Sequence, residues 1–191
     1  MFSLAACGGG GGQAASATDL QGPPGDILQQ VLDAAAEALP ADRPMPMPFI
    51  TEVTAESSQY QLGLSGADFD AYVSSATVAT AAIATFAHEV ALIQAKDAAS
   101  AAEIKKRVAG DGGYDSEKWI CVWPERSRVV ESGPYVLIAV SRAEVVDAVY
   151  AAFADAAGTT GEPVDFFTSE GGMAEGGIGA GMGIGIGPAP L

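Results

Sequence analysis

Two apolar runs separated by tight turns constrain this chain more than any other feature. Tyr135-Val136-Leu137-Ile138-Ala139-Val140 follows the turn Ser132-Gly133-Pro134. Upstream of that turn comes a second short extended segment, and before it, across Pro124-Glu125, lies Lys118-Trp119-Ile120-Cys121-Val122-Trp123, which holds both tryptophans. Short runs rich in Val, Ile and aromatic residues, bounded by Gly and Pro, predict strands. Connections this short join antiparallel neighbours, because parallel strands need a long crossover. Ser141-Arg142-Ala143-Glu144 then has the spacing of a capping box. It predicts a helix that buries Val145, Val146, Val149, Tyr150 and Phe153 and stops at Gly158.

The preceding residues read as partners for that unit. Ile27, Leu28, Val31, Leu32, Ala35 and Leu39 recur at helical spacing, with Asp26 as the expected N-cap and Pro40 as the stop. Four prolines within residues 40–53 predict an extended connector, and residues 54–63 a short helix ended by Gly63. Strands are expected near 68–77 and 84–95. A helix over 97–108 is marked by Ser100 and Glu103 as a capping box and by Gly110 as its end. The sum is an α+β domain over residues 26–157. The expected architecture is a two-layer sandwich, an antiparallel sheet of about five strands with helices mainly on one face. Residues 1–25 read as a leader and flexible linker. Residues 158–191, rich in glycine, read as a disordered tail.

Charge excludes some partners. The chain carries nine basic and 24 acidic residues, a net charge of −15. Nucleic acid is therefore not expected as a partner, since phosphate contacts need clustered Lys and Arg. Lys105-Lys106-Arg107, the one basic cluster, suits the last turn of a helix. Leu4-Ala5-Ala6-Cys7, followed by five glycines, looks like the processing end of a bacterial lipoprotein signal. Cys7 is then the expected site of lipid attachment, placing the protein on the outer face of the cell membrane. A full secretory signal needs a basic region and an apolar core of roughly 7–15 residues. Only six residues precede Cys7, none of them basic, so the signal reads as truncated.

The motifs of catalysis are missing from the sequence. His88 is the single histidine and no second one follows Glu89, so there is no HExxH pattern. Asp68-Phe69-Asp70 lacks the remaining ligands of a calcium loop. No cofactor and no metal is expected. One constellation is left. On a strand over 118–123, Trp119, Cys121 and Trp123 share one face, and Tyr135 begins the alternation of the next run. With helices on the opposite face, Trp119, Trp123 and Tyr135 would form a stacking platform for a glycan or peptide. Otherwise they complete the core.

Three segments taken together resemble a known group: Phe86-Ala87-His88-Glu89-Val90-Ala91-Leu92, Lys118-Trp119-Ile120-Cys121-Val122, and Ser132-Gly133-Pro134-Tyr135-Val136-Leu137 with the helix after it. In order and spacing, over residues 27–153, they are similar to small lipoproteins of Gram-positive bacteria grouped as domain-of-unknown-function family 4358. The resemblance implies a fold and an envelope address, and no chemistry. The expected function is a non-enzymatic, lipid-anchored surface module that binds an extracellular ligand or protein. The alternatives are an envelope hydrolase using dispersed carboxylates and an unanchored cytosolic acidic protein.

Overall fold

The computed structural model describes residues 18–83, 86–115, 118–119 and 122–168. The α+β sandwich forms around one antiparallel sheet of six strands, in the order β1-β2-β3-β5-β4-β6. The strands are β1 (Pro48–Glu52), β2 (Val73–Ala81), β3 (Glu89–Ala95), β4 (Arg126–Ser132), β5 (Tyr135–Ser141) and β6 (Val164–Thr168). The helices are α1 (Pro24–Ala38), α2 (Ser58–Leu62), α3 (Gly66–Tyr72), α4 (Ala98–Ala109) and α5 (Ala143–Ala157).

β5 sits near the centre of the sheet and all seven of its residues are buried. Its alternation sorts the core into two faces. Tyr135, Leu137 and Ala139 join Val90, Leu92 and Val130 beneath α1 and α5, whose apolar stripes run from Ile27 to Ala35 and from Val145 to Phe153. Val136, Ile138 and Val140 join Ala91, Ile93 and Val129 beneath Ala101, Ile104 and Val108 of α4, with Leu62 and Leu64 alongside. The two longest helices thus share one face, while α4 with the short helices roofs the other, so helices cover both faces and not mainly one. Burying one side chain the size of Phe153, which is fully enclosed, contributes about 2–3 kcal/mol.

Several local expectations change. The run 118–123 is not a strand in its described residues, 118–119 and 122–123. The strand expected at 68–77 begins instead as α3, because Ser65 caps Asp68 and the chain turns extended only at Val73. Helix α1 starts at Pro24 and not after Asp26, since proline at the first helical position has its φ preset and lacks the N–H a cap would satisfy. Asp97, ahead of Ser100, caps α4 by accepting the Ser100 N–H at 2.7 Å. At α5 the box is replaced by Glu125, whose carboxylate accepts the Ala143 N–H at 3.0 Å.

Both domain boundaries also move outwards. Val164–Thr168 pairs with β4 as an edge strand, so the domain does not stop at 157. At the other end Leu20 is buried, and the Asp19 N–H donates to the Ala157 carbonyl at 3.0 Å. Residues 18–23 are therefore tied to the domain, through Leu20, the Asp19 N–H and the Gly22 carbonyl, and do not belong to a linker. No helix of the described residues is long and apolar enough to cross a membrane.

Candidate functional site

The three aromatic residues expected to form a platform occupy three different places. Tyr135 faces α1 and α5, is 4% exposed, and donates its hydroxyl to the Gly22 carbonyl at 2.8 Å. Trp119 packs against the opposite face of the sheet. Trp123 is 60% exposed at the sheet's end. No common surface results, because both faces are covered and the segment that was to align the tryptophans is not a strand. Cys7 lies outside the described residues, as does Cys121.

What the fold does assemble is an apolar rim. Register fixes which residues share an end of the sheet: Pro48 lies across from Ala81, Thr80 from Glu89, Glu89 from Val140, and Ser141 from Arg126. The segments flanking these positions carry Met47, Phe49, Ile83, Phe86 and Trp123, all exposed, from 47% for Phe86 to 76% for Met47. They are most of the large exposed hydrophobic residues among those described. Large exposed apolar residues gathered at one end of a sheet are a candidate for contact with another molecule. Arg142 touches one of these residues. Its guanidinium stands 5.8 Å from the Phe86 ring and donates to the Pro44 carbonyl at 2.7 Å, pinning the proline connector. Arg43 in turn pairs with Glu144 at 3.0 Å.

Beneath the α4 face lies a second, closed cluster. Lys118 Nζ is 2.8 and 3.0 Å from the two Glu89 carboxylate oxygens, and both side chains are 3% exposed. The Tyr114 hydroxyl donates to Glu89 Oε1 at 2.7 Å, and Lys118 donates to the Tyr60 carbonyl at 2.8 Å. Burial raises the Glu89 pKa against the opposing pull of Lys118 and Tyr114. Burial also lowers the Lys118 pKa. Tyr114, buried beside the Glu89 carboxylate, is held well above the usual phenol range.

His88 is likewise a core residue. Its Nδ1 shares a hydrogen bond with Ser141 Oγ at 3.1 Å, while Nε2 is buried without a hydrogen-bond partner. Burial, and then the Arg142 charge, bring its pKa down to about 4. The described residues contain no grouping of three or more His, Cys, Asp and Glu suited to a metal ion.

Sequence reading missed the Lys118 cluster because its members come from α2, the start of β3 and the 110–119 segment. The one local signal was Glu89, a carboxylate opening the apolar run Val90-Ala91-Leu92-Ile93. Compared with family models, curated proteins and solved structures, the chain matches none of them. The resemblance to the lipoprotein group thus rests on the three segments named above.

Proposed function

We propose that this protein is a non-enzymatic, lipid-anchored surface module that binds a protein partner through the apolar rim. The observation that carries the reading is the exposure of Met47, Phe49, Ile83, Phe86 and Trp123 at one end of the sheet. Side chains of these types supply no nucleophile and no general acid or base, but Met, aromatic residues and Arg are what contact surfaces concentrate. Arg142 favours the reading too, because it fixes Phe86 and the connector in advance and lowers the ordering cost of binding. Cys7 would carry the acyl chains, and two or more chains suffice for stable anchoring.

Photo-crosslinking in the cells of origin tests this. A benzoylphenylalanine at position 83 should give one discrete protein adduct from the membrane fraction. Phe49→Ser with Trp123→Ser should abolish that adduct while leaving the thermal melt within a few degrees of wild type, since both side chains project from the fold. Cys7→Ser should move the protein out of the membrane fraction. An adduct indifferent to the serine variants, or none at all, sinks the proposal.

A further inference from the structure

Lys118 and Glu89 are 29 positions apart and meet where water is excluded, each 3% exposed. The rings of Tyr114, Tyr60 and Trp119 stand 4.2, 5.0 and 5.5 Å from Nζ. Holding two full charges in such a site is costly. Moving one proton from the ammonium to the carboxylate removes both, and burial acts on each group in that direction. What remains is a neutral amine in contact with a carboxylic acid, fixed by the Tyr60 carbonyl on one side and the Tyr114 hydroxyl on the other. Enforced contact of this kind makes an unfavourable bimolecular condensation effectively unimolecular.

We propose that Lys118 and Glu89 condense into an intramolecular isopeptide bond, with the Tyr114 hydroxyl handling the protons. Lys118 first gives a proton to Glu89. Rotation of the carboxyl group then presents its face to the Nζ lone pair, which attacks Cδ. In the tetrahedral intermediate a second proton leaves the nitrogen and reaches the departing hydroxyl through Tyr114. The C–O bond breaks, one water departs, and the amide nitrogen keeps one hydrogen. Ammonium plus carboxylate gives amide plus water, and nothing is oxidised or reduced. The bond would tie Lys118, which lies outside every strand and α-helix, to the first residue of β3.

The test is the mass of the full-length chain after denaturing purification. The expected value is short by one water, and proteolysis should yield a branched peptide joining Glu89 to Lys118. Asp111-Gly112 can also lose one water by cyclising, so the branched peptide decides. Lys118→Arg should restore the full mass. Tyr114→Phe should slow formation by roughly a hundredfold, the contribution expected of positioned proton transfer, and fresh preparations should then show both masses. Where a variant fails to fold, the wild-type peptide map still decides. Folded wild type at full mass, or a water loss that maps to Asp111, overturns the bond. Complete condensation in fresh Tyr114→Phe overturns the role of Tyr114.

Discussion

At the scale of single residues, His88 is a buried imidazole kept neutral. A histidine with a depressed folded pKa adds stability above its unfolded value, near 6.5, and loses it as pH falls through the folded value. With the folded pKa at about 4, that contribution is lost between those two values. It amounts to roughly 3 kcal/mol at about 1.4 kcal/mol per pKa unit. His88→Leu should therefore lose about 1 kcal/mol at neutral pH, with the Ser141 hydrogen bond, yet flatten the acid limb. The check is urea unfolding at about pH 7 and 4.5. The stability gap between these conditions should shrink by about 2 kcal/mol in the variant, and an unchanged gap would exclude His88 as the sensor.

Among the elements, β6 shows what sequence reading can and cannot reach. Its five residues, Val164–Thr168, give too short a pattern to stand out beside a glycine-rich stretch. Their pairing depends on contacts far away in the chain. Asp165 takes a two-pronged hydrogen bond from Arg128, at 2.6 and 2.9 Å, and Phe166 lies 5.5 Å from the Tyr114 ring. A chain ended after Gly158 would uncover the β4 edge and lose both contacts. It should cost about 2 kcal/mol, or roughly 4–8 °C in Tm, and promote association through the exposed edge. An unaltered melt would show that β6 is dispensable. By contrast β4, β5 and α5 were legible because their pairing and packing are local: a two-residue turn, strict alternation and a helical stripe ended by glycine. The Lys118 segment misled for the opposite reason. Its apolar run looks like a strand, yet Lys118 itself is drawn inwards by Glu89 of β3, which no local pattern reports. The rim was equally hidden. Met47, Phe49, Ile83, Phe86 and Trp123 come to share one end of the sheet only once β1, β2, β3, β5 and β4 are aligned in register.

For the whole molecule, the fold separates the rim from the point where the N-terminal segment departs. Thr18 sits beside Gly133, in the β4–β5 turn, and Glu52 and Ala95 end their strands on that same side. Gly133 has φ +54°, and the Thr18 side chain occupies the space a Cβ would fill, so the turn and this segment require glycine there. The rim lies at the other end, roughly 24 Å away along the seven residues of β5. Residues 8–17 can span at most about 35 Å, even fully extended. A domain held through Cys7 would thus stand with its rim outwards, and its net charge of −15 would keep it from lying down on an anionic bilayer. Energy transfer to a labelled membrane measures this. Cys121→Ser protein is coupled to lipid through Cys7 on vesicles containing phosphatidylserine and an acceptor-labelled lipid. A donor placed at exposed Lys96, beside the β3 end, should transfer strongly, and a donor at Ile83 only weakly. Equal transfer from the two positions, or stronger transfer from Ile83, would mean that the rim rests on the bilayer, and the outward-facing contact surface would have to be abandoned.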